Sequence, residues 1–225
     1  MSNSLSGKSL FIDFDSTFVK VETIDEIARI TLQNDSEKDQ KIKRISDITS
    51  QAMSGEIDFP TALDLRLQTL VITRETVDRV TSDIESQISD SFNKHRELIR
   101  ENASDIWIIS GGFTQVIAPI VSGFGITQDH VLANSFTFNN ESVSGCDRDN
   151  FLFQDKGKIK AINSVETLNP RVMIGDGYTD LEVYLDGAAD QFICYTENIS
   201  REKVLEKSKH SAKSFGEILD ILRQI

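Results

Sequence analysis

Apolar residues follow two rhythms along this chain. Runs that are mainly apolar, at 8–14, 105–110, 171–175 and 191–195, have the length of buried strands. Helical stretches alternate with them, which predicts an α/β fold built on a doubly wound, mainly parallel sheet. Val131 to Ser144 suggests further short strands, with Phe136 and Phe138 alternating and Asn139-Asn140 as a turn.

Between the first strand and the second lie about 90 residues with no convincing strand. Residues 23–32 open on Thr23-x-x-Glu26, the pattern of a capping box, with Ile24, Ile27 and Ala28 on one face. Residues 37–54 repeat apolar positions at Ile42, Ile45, Ile48 and Ala52. Pro60 fits the first turn of a third helix ending near Leu70, and a fourth runs from about Arg74 to Ile88. Four helices predict a small bundle inserted at 22–90, with 1–21 and 91–225 forming the core domain.

Chemistry gathers at the strand ends. The first run ends in Asp13-Phe14-Asp15-Ser16-Thr17, two carboxylates two residues apart. In open α/β sheets, ligands bind beyond the carboxyl ends of strands. Acids buried there need a cation or hydrogen-bond donors, and Mg²⁺ is the simplest partner for oxygen ligands. The second run ends in Ser110-Gly111-Gly112-Phe113, which offers a hydroxyl and open N–H groups to an anion or is an ordinary turn. Asp155-Lys156-Gly157-Lys158 precedes a helix, and one of its lysines could meet a phosphate or lie in solvent. The third run ends in Gly175-Asp176-Gly177-Tyr178-Thr179-Asp180; helix capping accounts for Asp180 but not for Asp176. Arg66 falls on the apolar stripe of Leu63, Leu67 and Leu70, either as an edge residue whose charge escapes to water or as a ligand contact. Glu22 either complements a helix N-terminus or pairs with a ligand cation.

In this order and spacing the four segments resemble the haloacid-dehalogenase superfamily of phosphotransferases. Asp13 to Val19, Glu22 to Ala28, Met53-Ser54-Gly55, Phe59, Arg66, Ser110 to Phe113, Lys156-Gly157 and Gly175-Asp176-Gly177 together look like phosphoserine phosphatases, over about residues 8 to 220. Thr179 stands where many members carry Asn, and Tyr178 is bulkier than the small residue often found there. The resemblance implies a Rossmannoid sheet with the helical insert as a cap. It also implies hydrolysis of O-phospho-L-serine to serine and phosphate through an aspartyl-phosphate, the last step of serine biosynthesis. Asp13 is then the nucleophile and Asp15 the acid and base. Mg²⁺ is held by Asp13, the Asp15 carbonyl and Asp176, with Asp180 behind them. Ser110, Gly111 and Lys156 grip the phosphoryl group, with Thr179 as a polar neighbour. Arg66 and Glu22 take the substrate's carboxylate and ammonium, and Met53 and Phe59 are bundle core or apolar walls. Two alternatives stay open: a relative acting on another small phosphomonoester, and a phospho-acceptor signalling module, although such modules are shorter and lack a helical insert.

Composition narrows the partners. The 225 residues carry 36 acidic and 24 basic side chains, a net charge of −12, which argues against nucleic acid. Hydrophobic residues make up 39% and charged residues 27%, the balance of a soluble globular chain. No apolar run approaches the roughly 20 residues of a membrane span. Residues 1–9 lack an apolar signal core, and Cys146 and Cys194 read as free thiols, so the expected location is the cytoplasm, as monomer or homodimer. An acidic protein with a small anionic substrate needs locally concentrated positive charge.

Overall fold

The computed structural model describes Leu5, residues 7–54 and residues 56–225, without the side chains of residues 50 and 52–54. Six parallel strands form one sheet: β1 (Ser9–Ile12), β2 (Ile106–Phe113), β3 (Val131–Asn134), β6 (Arg171–Gly175), β7 (Gln191–Tyr195) and β8 (His210–Ala212). Their order is β3-β2-β1-β6-β7-β8. A separate antiparallel hairpin joins β4 (Phe136–Asn139) to β5 (Ser142–Cys146).

Every residue of β1 is buried, because both faces of the sheet are covered. Leu10 and Ile12 enter one apolar cluster with Ile108, Val172 and Ile174. Phe11 points the other way, joining Ile109, Met173 and Phe192. That two-residue alternation is the strand's own geometry. From β1 the chain builds outward through β2 and β3, then returns to lay β6, β7 and β8 on the opposite side of β1. The winding reverses between β1 and β6, and the crevice at such a reversal is where open α/β sheets bind ligands.

The first four α-helices of the segment between β1 and β2 are α1 (Thr23–Thr31), α2 (Lys38–Ser54), α3 (Phe59–Gln68) and α4 (Arg74–Glu85). Asp58 caps α3 by accepting from the Thr61 N–H at 2.7 Å, with Pro60 in the first turn. Thr73 and Thr76 form a reciprocal capping box on α4. The insertion leaves and re-enters at one place, where Val19 bridges Ile88 and the Lys20 N–H donates to the Gln87 carbonyl at 2.8 Å.

The remaining helices are α5 (Asp90–Lys94), α6 (Arg96–Glu101), α7 (Thr114–Ser122), α8 (Gly157–Asn163), α9 (Tyr178–Leu185), α10 (Glu202–Leu205) and α11 (Phe215–Leu222). Val77, Val80 and Ile84 of α4 share an apolar cluster with Val116, Ile117 and Ile120 of α7. The inserted helices are therefore continuous with the main core on their α4 side. Among the described residues, no helix is long and apolar enough to cross a membrane.

Candidate active site

Strand β1 delivers Asp13 to the crevice, and β6 delivers Asp176 beside it. Asp13 Oδ1 accepts from the Phe14 N–H at 2.8 Å and from Lys158 Nζ at 2.8 Å. Asp180 stands in the first turn of α9, with Oδ2 accepting from the Gly177 N–H at 2.9 Å and Oδ1 from Lys158 Nζ at 2.6 Å. A Cβ on Gly175 would lie 2.3 Å from Asp180 Cγ, so glycine there is what lets Asp180 come this close. One carboxylate oxygen from each of Asp13, Asp176 and Asp180 lies within 4.8 Å of the others.

These acids repel one another out of water. Burial, then the charge of Asp180, pushes the Asp13 carboxyl well above its usual range, and the same two causes raise Asp176. Burial alone would lower the Lys158 ammonium, but Asp13 and Asp180 more than offset it and hold the pKa above its usual value. Three carboxylates against the two cations Lys158 and Arg201 leave an excess of negative charge on an all-oxygen trio, which fits a hard divalent cation. Asp180, expected behind the ligands, lies within reach of the other two acids, and both of its oxygens already accept hydrogen bonds, from Lys158 and the Gly177 N–H.

Asp15 has a different setting two residues on. Its Oδ1 accepts the Thr23 N–H at 2.9 Å and the Thr23 hydroxyl at 2.5 Å. The sequence suggested that Thr23 caps α1 with Glu26; instead Glu22 is the N-cap, without a side-chain bond, and Thr23 serves Asp15. Burial, then the charge of Glu22, raises the Asp15 pKa to about 7. The other oxygen of Asp15 faces the irregular end of β2, since a Cβ on Gly112 would lie 3.5 Å from it. There Ser110 is fully buried, and its Oγ accepts the Gly112 N–H at 2.9 Å.

Lys156 is a correction. Its side chain is half-exposed and pairs with Asp186 at 3.0 Å, while Lys158 bonds Asp13 and Asp180. Lys156 takes a left-handed φ of 54° as the N-cap of α8. Two helical residues on, the side-chain direction turns by about 200°, so only one of the two lysines can face the sheet. Gly157 seats the helix start: a Cβ there would lie 2.4 Å from the Phe151 carbonyl oxygen.

From the inserted helices, Glu22 accepts from Ser16 Oγ at 2.6 Å. Arg66 is half-buried, with Nε donating to the Ala62 carbonyl at 3.2 Å, and it feels the charges of Asp25, Glu22 and Asp15. Phe59 reaches across to the core, its Cζ 3.2 Å from where a Gly111 Cβ would sit. It is 36% exposed, a wall rather than bundle core. The Met53 side chain lies outside the described residues. Thr179 is exposed beside Gly177, and Tyr178 is 53% exposed, so its bulk goes to solvent. Arg201, not anticipated, donates Nε to Asp176 Oδ2 at 2.7 Å and places NH2 3.8 Å from Glu22 Oε1. Ser200-Arg201-Glu202 reads as an ordinary helix start; only the adjacency of β7 to β6 brings it here.

The haloacid dehalogenase-like hydrolase family profile matches residues 10–184. The chain belongs to the haloacid dehalogenase-like hydrolases. This hydrolase is 30% identical over 224 residues to the human phosphoserine phosphatase, covering 97% of this chain and 95% of that one. It is 30% identical over 221 residues to the chloroplastic phosphoserine phosphatase of Arabidopsis thaliana, covering 96% and 72%. Among solved structures, a phosphoserine phosphohydrolase-like protein from Francisella tularensis superposes with a TM-score of 0.81 at 29% identity, covering 95% of the hydrolase and 99% of its relative.

Proposed function

We propose that this hydrolase cleaves O-phospho-L-serine to serine and phosphate in a Mg²⁺-dependent reaction through a phosphorylated Asp13. The observation that carries the reading is the split between two neighbouring carboxylates. Asp13 bonds Lys158 at 2.8 Å within the acidic trio, whereas Asp15 lies outside the trio and is held by Thr23 at 2.9 Å; burial raises both carboxyls, that of Asp15 to about 7. A pair of acids whose environments differ in this way suits a nucleophile and a proton-transfer group.

Asp13 attacks phosphorus, and the leaving serine oxygen takes the proton held by Asp15. Asp15, now ionised, takes a proton from the water that releases phosphate from Asp13. Ser110 and Lys158 stabilise charge on the phosphoryl oxygens. Asp13 and Asp176 would supply side-chain oxygens for the cation, joined in this reading by the Asp15 carbonyl, with Asp180, whose oxygens accept from Lys158 and Gly177, behind them. When bound, Mg²⁺ offsets the charge between nucleophile and phosphate and favours in-line attack. Helices α1–α4 act as a cap that excludes water and reads the rest of the substrate. Glu22 and Arg66, of opposite charge and both on the cap side, suit a zwitterionic amino acid. Two buried free thiols, Cys146 and Cys194, fit a reducing compartment such as the cytoplasm.

A phosphate-release assay tests the reading. Phosphoserine should be preferred over phosphoethanolamine, which lacks the carboxylate, and over 3-phosphoglycerate, which lacks the ammonium. EDTA should abolish turnover and Mg²⁺ restore it. Full activity in chelator would remove the metal from the proposal, and equal rates on all three esters would remove phosphoserine.

A further inference from the structure

Asn134 is the last residue of β3, and its side chain is fully buried beside Ser110–Gly112 at the irregular end of β2. Its Nδ2 donates to the Gly111 carbonyl at 2.9 Å and approaches the Leu152 carbonyl at 3.4 Å. Reversing the amide would set Oδ1 against two carbonyl oxygens, so these partners fix its orientation. In that orientation Asn134 Oδ1 is buried with no hydrogen-bond partner. Buried polar atoms are seldom left unpaired. A residue kept for packing has no need of an amide here, so the donor end is what this position uses.

The Gly111 carbonyl and the Gly112 N–H belong to one planar peptide, so fixing the first fixes the second on the opposite side. That N–H donates to Ser110 Oγ at 2.9 Å. With its oxygen already accepting, the Ser110 hydroxyl is left to donate its proton outward. Hydrogen bonds in series polarise one another. The Leu152 contact adds a second tie, because the Phe151-Leu152 backbone is the surface on which Gly157 seats, one residue before Lys158.

We infer that Asn134 is a positioning residue for phosphoryl transfer: through the Gly111–Gly112 peptide it orients Ser110 as a donor to the phosphoryl group. The inference rests on the phosphatase reading. Failure of that reading would show as absence of phosphate release by the unaltered protein, before any Asn134 variant is compared.

The test is a double-mutant cycle on phosphoserine hydrolysis, with orthovanadate as the transition-state probe. Asn134→Ala should lower kcat about tenfold or more, the scale seen when groups that orient site residues are removed, with KM changed less than about threefold. Orthovanadate inhibition should weaken in parallel with kcat. In a Ser110→Ala background the same change should cost less than about twofold, because the relay no longer has an end. Gln115→Ala serves as the structural control: Gln115 Oε1 accepts the Phe136 N–H at 3.1 Å and Nε2 donates to Ser135 Oγ at 3.0 Å, just after Asn134, without bonding Gly111 or Leu152. It should lower thermal stability and leave kcat near that of the unaltered protein. Additive losses in the cycle, a loss confined to KM, or an equal kcat loss in Gln115→Ala would overturn the proposal. Asn134→Ser, a smaller change, stands in if the alanine variant does not fold. Failure of both to fold would make Asn134 a structural residue and overturn it as well.

Discussion

The carboxyl edge of the sheet and the inserted helices hold their functional side chains in different ways. At the sheet edge, Asp13, Ser110, Asp176 and Asp180 are buried, and Lys158 bonds two of the acids at 2.6 and 2.8 Å. On the insertion, the Glu22 side chain is 43% exposed and Arg66 bonds a carbonyl of its own helix. The chemistry is set by strands that cannot move without breaking the core. The charges proposed to recognise the substrate sit on a layer in which α2 and α3 pack mainly on each other, and in that reading the ligand completes their pairing. Perturbing the sheet edge should therefore destroy rate, and perturbing the insertion should redistribute preference among substrates.

The largest expected effect is at the nucleophile. Asp13→Asn keeps the side chain's shape and removes its charge, so kcat should fall by about 10⁴-fold or more, as when other covalent catalysts lose their nucleophile. Asp15→Asn should cost less, about 10²–10⁴-fold, the range for a proton-transfer group. Single-turnover assays with unchanged circular dichroism would check both. Substantial activity in Asp13→Asn would exclude the covalent route.

Next come the two lysines. Lys158→Ala leaves Asp13 and Asp180 buried without their cation, costing about 3–5 kcal/mol of stability, as when one partner of a buried pair is removed. It should also lower kcat about 10²–10³-fold through lost charge stabilisation. Lys156→Ala should leave Tm and kcat at wild-type values, since Lys156 is a half-exposed partner of Asp186. The reverse ranking would mean that α8 starts in another phase in solution.

That pair also marks where sequence stops being informative. The strands could be read because runs buried on both faces leave an unbroken apolar signature, and acids after such runs can only lie at a sheet edge. Strand β8, three residues His210 to Ala212, has no such signature. Lys156 and Lys158 differ only in helical phase, which is set by a left-handed turn and by Gly157 packing on the Phe151 carbonyl, contacts with no trace in the local pattern. Thr23 carried a capping pattern, yet its hydroxyl went to Asp15 eight residues earlier, because a buried carboxylate needs donors more than an exposed helix end does. Ile42 kept the period of Ile45 and Ile48 but is 40% exposed, since α2 covers only a narrow stripe. Arg201 depends on sheet order alone.

On the insertion the expected pattern is crossed. Arg66→Ala should lower kcat/KM for phosphoserine about 30-fold, equivalent to ~2 kcal/mol for a partly buried charge contact, and should barely change phosphoethanolamine. Glu22→Gln, compared at a pH well below 7 where Asp15 stays protonated in both proteins, should weaken phosphoserine use while leaving 3-phosphoglycerate unaffected. Equal losses on every ester would mean that these residues only support the insertion, and the contrast between the two regions would collapse.

The smallest effect is the most direct test of how the regions meet, because Asp15 belongs to the sheet edge while Glu22 and Thr23 begin the insertion. Asp15 must be protonated to release serine. With its pKa raised to about 7, kcat/KM should be carried by the acid form below that pH and decline above it. Burial is the main cause of the raised value, and the Glu22 charge adds to it; the Thr23 hydroxyl and N–H oppose both by stabilising the ionised form. Glu22→Gln removes a repelling charge, so the alkaline limb should move to lower pH. Thr23→Val removes the hydroxyl donor but keeps the backbone N–H, so the limb should move to higher pH. Measuring kcat/KM against pH at saturating Mg²⁺ for both variants gives two shifts of opposite sign. Shifts of the same sign, or none, would mean that the limb belongs to another group and that Asp15 is not the acid.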